Sequence, residues 1–330
     1  MRRREFITIL GGAAAAWPFA ARAQGPQKMR RVGVLFGIAE ADPLSKDRMK
    51  GFRLGMRDLG WIEGRNVQIE YRFAGANLES IKRSVEELIR LVPDVIVANS
   101  TPVLAPLRSA TSTIPIVFVI VNDPVGQGFI SSTAHPGGNI TGFSFIEFEI
   151  VGKWINLLAD VKPNLSRVAL MFNPDTAPYY DGYLRSFRAS PQRTSVKAEA
   201  VYVRSVAEID LAVAELGREP GSGLIAAPDP YIITVRGAIL KAADRHRVPV
   251  ISAYRQFVEE GSLMSYGPDT TEIFRRSASY IDRILNGESP GNLPAQSPDR
   301  FELFVNLRTA KALGLSVRES FLLLADAVIE

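Results

Sequence analysis

At 330 residues, with 46% hydrophobic and 22% charged residues, the chain is long enough for two domains, and its balance is that of a globular protein, neither disordered nor membrane-embedded. The net charge of +4 invites a nucleic-acid reading, but Arg2, Arg3, Arg4 and Arg22 against Glu5 place a surplus of 3 in the first 23 residues and leave +1 for the rest. No Lys/Arg stripe with interleaved aromatics runs through that remainder, so no nucleic-acid partner is expected.

The first 23 residues read as an export signal peptide. Arg2, Arg3 and Arg4 form a charged n-region, 7–16 an apolar h-region broken by Gly11-Gly12, and Ala21-Arg22-Ala23 an A-x-A site. Cleavage is expected after Ala23. Arg3-Arg4-Glu5-Phe6-Ile7 resembles the twin-arginine (Tat) export motif. With no Cys there is neither a disulfide nor a lipid-modified Cys, so a soluble periplasmic protein is expected. No later stretch reaches the roughly 18 apolar residues of a membrane span, and direct membrane insertion is not expected.

After a short polar linker, 31–36 (RVGVLF) is the first strand. A loop with Glu40, Asp42, Pro43 and Ser45 leads to a helix carrying Met49, Phe52, Met56 and Leu59 on one face, ended by Gly60. Residues 67–71 (VQIEY) alternate as a strand, and 78–92 repeat apolar residues at 78, 81, 85, 88, 89 and 92, an amphipathic helix. Residues 94–98 (DVIVA) form a buried strand ending at Asn99-Ser100-Thr101-Pro102. The β-branched run 114–121 has the character of a strand buried on both faces of a parallel sheet, and turns polar at once with Asn122, Asp123 and Pro124.

From about Glu147 the pattern restarts. A helix over 150–158 precedes a strand over 167–172 (RVALMF) that exits at Asn173-Pro174-Asp175, followed by helix 179–189, strand 196–203 and helix 205–216. Residues 223–227 (GLIAA) run into Pro228-Asp229-Pro230-Tyr231, a helix, and 248–252 (VPVIS). DVIVA-NSTP-helix-IPIVF and GLIAA-PDPY-helix-VPVIS are one architectural unit used twice. A helix over 273–285, a Pro/Gly/Asn/Ser linker over 287–298, a strand over 301–306 and two helices finish the chain. The fold class is therefore α/β, two doubly wound Rossmann-like lobes with parallel sheets joined by a hinge. Breaks near Glu147, Tyr266 and Pro294 divide it into 30–146 with 267–295, lobe I, and 147–266 with 296–330, lobe II.

The chain resembles the ABC-transporter substrate-binding proteins of the periplasmic binding protein type I fold, in the branch that includes tryptophan- and tyrosine-importer binding proteins. The resemblance is carried in order by 31–36, 52–72 (FRLGMRDLGWIEGRNVQIEYR), 94–102, 114–129, 136–143 (PGGNITGF), 172–180 (FNPDTAPYY), 263–269 (LMSYGPD) and 301–315 (FELFVNLRTAKALGL). It implies capture of a small ligand, an amino acid or related compound, between two lobes and delivery to an ABC-transporter permease in the inner membrane. A receptor for a sensor kinase or chemoreceptor is the alternative it leaves open.

In open α/β sheets ligands sit beyond the carboxyl ends of the strands. Asn99, Ser100 and Thr101, at a strand end before a helix N-terminus, suit a carboxylate, though Ser100 and Thr101 could equally cap that helix. Asn122, Asp123 and Asp229 occupy corresponding strand ends, and Asp123 or Asp229 is a candidate for an ammonium group, with helix capping as the other role. Asp42, Phe145, Asn173, Tyr179, Tyr254 and Tyr266 complete the candidate set, the aromatics as walls for a flat ligand. Catalysis has little support. Gly126-Gln127-Gly128 begins a dinucleotide fingerprint without its third Gly, there is no G-x-S-x-G, and His135 and His246 stand outside any metal-ligand spacing, so neither cofactor nor metal is expected.

Overall fold

A computed structural model describes residues 29–189 and 196–330; the signal peptide expected over 1–23 lies outside them. The described residues form two sheets. The first has strand order β2-β1-β3-β4-β5, all parallel, from β1 (Arg30–Phe36), β2 (Val67–Phe73), β3 (Val95–Asn99), β4 (Ile116–Val121) and β5 (Ile140–Ser144). β3 and β4 are buried along their whole length, as continuous apolar runs covered by helices on both faces must be. The second sheet has the order β12-β11-β10-β9-β8-β6-β7. Its strands are β6 (Arg167–Phe172), β7 (Lys197–Tyr202), β8 (Ser222–Ala226), β9 (Val250–Ser252), β10 (Met264–Gly267), β11 (Glu302–Asn306) and β12 (Ala327–Ile329), with β10 and β11 antiparallel.

The helices of the first lobe begin with α1 (Pro43–Asp58), which starts where Asp42 accepts the Leu44 N–H and Pro43 fixes the first turn. In α2 (Leu78–Arg90), capped by Asn77, Ile81, Val85 and Leu88 turn inward. With α3 (Thr101–Ala110) they cover one face of the first sheet, over Leu35, Ile96, Ala98 and Phe118. The second apolar cluster is continuous from Val32 and Val34 under the first sheet to Leu224 and Ile225 in the second. In the second lobe follow α4 (Ile150–Val161), α5 (Tyr180–Ala189), α6 (Val206–Gly217), α7 (Pro230–Thr234), α8 (Arg236–His246) and α9 (Arg255–Glu259).

The chain crosses between sheets three times, after β5, after β10 and before β11. The second crossing returns α10 (Thr270–Leu285) to the first lobe, where it packs along α1. Gly51 and Gly55 make that approach possible: a Cβ on either would stand 2.3 Å from a backbone carbonyl of α10, Thr271 O or Arg275 O.

Three details differ from the sequence reading. β5 (ITGFS) was not expected, because Gly142 interrupts its alternation; it is needed there, with φ +154° and no room for a Cβ beside the Phe118 backbone. The stretch expected as a linker over 287–298 lies against β5 instead: Ser144 N–H donates to Gln296 O, Gln296 N–H to Gly142 O, and Thr141 Oγ1 to Leu293 O, which covers an edge that would otherwise expose a row of backbone groups. After α11 (Leu307–Ala312) and α12 (Glu319–Leu322), the short strand β12 adds to β11 where only helices were expected.

Candidate functional site

The carboxyl ends of β3 and β4 face the ends of β6, β8 and β9 across a narrow cleft. On the first side, Asn99 Nδ2 donates to Val119 O (3.3 Å) and the Asn122 N–H to Thr101 Oγ1 (3.4 Å), tying the two strand ends together. Ser100 holds the turn between β3 and α3 at φ 81°, ψ 158°, a region that side-chain-bearing residues avoid. Its hydroxyl does not cap α3. The Oγ is buried and has no hydrogen-bond partner among the described residues. In β4 a register shift between Val119 and Val121 puts Ile120 at φ 62°, so the strand kinks at the cleft.

On the second side, Tyr179 donates to Pro228 O (2.7 Å), and Tyr254 lies flat on Phe145, rings 5.4 Å apart at 11°. Burial raises the Tyr179 and Tyr183 phenols well above their ordinary range and pushes Tyr254 up to about 12 despite the neighbouring Arg48. Contacts bridge the cleft: the Tyr183 hydroxyl donates to Asn122 Oδ1 (3.0 Å), Gln256 Nε2 to Asp47 Oδ2 (3.2 Å), and Arg236 Nη1 meets Asp42 Oδ2 at 2.6 Å. The cleft is shut. Between its walls remains a cavity of ≈ 10 Å³, about the room one water needs.

Of the residues expected from sequence, Asn99, Ser100, Asn122, Tyr179 and Tyr254 line this cavity, with Thr101 and Phe145 directly behind. The others stand elsewhere. Asp229 is fully buried and accepts from Asn173 N–H (2.6 Å), Tyr231 N–H (2.9 Å) and Thr176 Oγ1, so its carboxylate joins the β6 and β8 exits. Burial outweighs those bonds and pushes its carboxyl up to about 6. Asn173 belongs to the same network and accepts Asp175 N–H in an Asx turn. Asp42 caps α1 and pairs with Arg236. Asp123 accepts Gly126 N–H (2.8 Å) and lies near Glu147, whose carboxyl is raised by burial and by the nearby Glu149 and Asp123. Tyr266 packs on Phe301, and its carbonyl receives Trp154 Nε1.

Sequence reasoning passed over Ile38, Arg48, Ile120, Pro228, Pro230 and Ile233, which complete the lining. For Arg48 a signal existed: it shares the inward stripe of α1 with Leu44, Gly51, Phe52 and Gly55, where a charge is out of place. Two larger hollows lie away from these strand ends. One of ≈ 450 Å³ lies between α8 and α11, and one of ≈ 700 Å³ lies beside α1 and Trp61. Neither is where ligands of such sheets sit. Among the described residues no group of acidic or His side chains could hold a metal, and no helix is long and apolar enough to cross a membrane.

The family model described as ABC transporter substrate binding protein matches residues 32–329. A curated protein, the tyrosine-binding protein of Clostridioides difficile (strain R20291), is 24% identical over 289 residues, which are 88% of this chain and 82% of that protein. The crystal structure of an ABC domain in complex with L-Trp from Streptococcus pneumonia is 21% identical, covers 92% of this chain and 100% of its own, and superposes with a TM-score of 0.82. A ligand-free, open substrate-binding protein with adhesive properties from Clostridium difficile is 22% identical, covers 91% and 99%, and reaches 0.67.

Proposed function

Because the chain belongs to the ABC transporter substrate-binding protein family, we propose that its cleft captures an amino acid, most simply an aromatic one, and that the closed protein delivers it to an ABC permease in the inner membrane. The observation that carries this reading is the shut cleft itself. Polar strand ends from one lobe (Asn99, Ser100, Asn122) meet aromatic side chains from the other (Tyr179, Tyr254), the chemistry of a ligand with a polar head and a flat body. The curated relative named for tyrosine supports the aromatic choice. Asp123 and Glu147 stand beside the first crossing, outside the lining of the shut cavity, and are the carboxylates we assign to an ammonium group as the lobes part, since Asp123 is held by a single backbone N–H whereas Asp229 accepts three bonds and Asp42 is paired with Arg236.

The lobes run over 30–146 with 267–295 and 147–266 with 296–330, and the intervening crossings act as the hinge. The first 23 residues direct export, through the twin-arginine route, and leave a periplasmic protein that begins at Gln24. The protein performs no catalysis. Calorimetry with L-tryptophan and L-tyrosine tests the reading, as does a thermal melt, which at about 100-fold over Kd gains roughly 2.7 kcal/mol of stability. If neither amino acid, nor any other of the common set, shifts the melt, capture of an amino acid by this cleft is wrong.

A further inference from the structure

We propose that Arg48 is the anion-binding residue of this cleft, gripping the ligand's carboxylate together with Ser100 and the N-terminus of α3, so that the protein selects carboxylate-bearing solutes over their neutral counterparts. The proposal rests on the reading of the cleft as a solute site and names what that site recognises.

Arg48 is 2% exposed, on the buried face of α1, and among the described residues is the one charged side chain lining the cavity. A guanidinium so placed normally has a carboxylate against it, because an uncompensated buried charge is strongly destabilising. Among the described residues Arg48 has none in contact. Its Nε makes a long bond to Thr270 Oγ1 (3.4 Å), the guanidinium lies beside the neutral Tyr254, hydrogen-bonded to its hydroxyl and 5.6 Å from its ring centre, and its Nη2 has no acceptor among the described residues. The nearest carboxylates are held by others, Asp42 by Arg236 and the Leu44 N–H, Asp47 by Gln256.

The same cavity holds a second unsatisfied donor, the Ser100 Oγ, on a residue 8% exposed and strained in backbone. Gly37 keeps that hydroxyl's space clear, since a Cβ there would stand 2.6 Å from it. Ser100 also stands at the head of a ten-residue helix whose positive dipole end favours negative charge, although Pro102 has no N–H there and the Val103 and Leu104 N–H groups already bond to Ser100 O. Arg48 Nη2 and Ser100 Oγ both bring an unsatisfied donor to one small space whose other polar groups, the Tyr254 hydroxyl and the Asn99 and Asn122 amides, are neutral, so among the described residues that line it no anion answers the guanidinium. A planar carboxylate, able to take two N–H bonds from Arg48 and one O–H bond from Ser100, is the group whose chemistry matches these donors, and it reaches them as the lobes part.

The experiment compares the mature protein with Arg48→Met and Arg48→Lys, measuring affinity for L-tryptophan and L-tyrosine, for their amides, and for the amine-free acids 3-indolepropionate and 3-(4-hydroxyphenyl)propionate. The parent is expected to prefer acids over amides, and Arg48→Met to lose at least ~30-fold in acid affinity while its amide affinity holds, so that discrimination collapses. Arg48→Lys, which keeps the charge but not the paired donors, should fall between them. Without ligand, Arg48→Met should melt at or above the parent. The proposal is overturned if Arg48→Met binds the acids as tightly as the parent does, if it melts well below the parent without ligand, or if no acid shifts the parent's melt. Amine-free acids binding as tightly as the amino acids would sink the amino-acid reading and leave Arg48 standing; the amides binding as tightly as the amino acids would overturn Arg48 and leave capture of an amino acid standing, and a neutral solute binding in place of every acid would sink both.

Discussion

Asp229 receives three hydrogen bonds in a site with no access to water, and from that its pH behaviour follows. Its carboxyl titrates at about 6 in the fold against 3.8 ordinarily, burial being the main cause. A folded pKa above the unfolded one means that the native state binds the proton more tightly. The residue's stabilisation is therefore fully present below pH 3.8, is lost as pH rises through 6, and is flat above. Asp229→Asn keeps one accepting oxygen for three donors and should cost about 1–3 kcal/mol. The gap in melting temperature between parent and variant should narrow from pH 4 to pH 7; a gap that widens over that range refutes the assignment. At this scale the sequence displayed position but not partnership. Asn99, Ser100 and Asn122 were legible because strand ends of parallel sheets face ligands. Whether Asp229 would meet a ligand or its own backbone depends on where the 173–176 loop lies, and nothing local to Asp229 records that. Arg48 was hidden because the apolar period of α1 marks which face is buried but not that a charge on that face meets a cavity and no carboxylate.

Among elements, α1 and α10 are joined where Gly51 and Gly55 let backbones touch, though nearly the whole second lobe separates them in sequence. Gly55→Ala places a methyl group 2.3 Å from Arg275 O, against backbone that cannot step aside. Overpacking of this kind costs about 1–3 kcal/mol, and a denaturant melt should show a lower midpoint. Unchanged stability would mean that the two helices slide apart freely. The glycines stood plainly in the sequence, but the helix they serve is over 200 residues away, so only Gly60, with its local role in ending α1, could be understood beforehand. Strands followed the same division. β3, β4, β6 and β8 announce themselves as unbroken apolar runs, whereas β5 and β12 are short, or broken by glycine, and exist because a neighbour supplies an edge. The packed stretch 287–298 has the composition of a loose linker, and its order comes from hydrogen bonds to β5.

For the whole molecule, the doubled strand-loop-helix unit was the informative signal, since it required two sheets with their loops facing. What holds those faces together was invisible, because Asp42 and Arg236 belong to different lobes. Their pair, with side chains 10% and 9% exposed, is shielded from solvent and shared with Glu260. Arg236→Met strands Asp42 without its partner, and an unpaired buried carboxylate costs about 3–5 kcal/mol. Parting of the lobes hydrates it, so the variant should have a larger radius of gyration in small-angle scattering, and Asp42→Asn added to it should restore the parent's value. A variant as compact as the parent would show that the pair does not latch the lobes.

The smallness of the cavity has a kinetic consequence. A space that holds about one water admits no amino acid, so each binding event waits for the lobes to part. In stopped-flow mixing the observed rate should rise with ligand concentration and then level off at the opening rate, a plateau that Arg236→Met raises. A rate that climbs linearly to the highest concentration would mean that solute reaches Tyr254 without any opening. With the plateau, abundance outside the molecule decides only how often an opening is used, while the frequency of openings is set by the contacts across the cleft, among them a pair of side chains, Asp42 and Arg236, that never touch the solute.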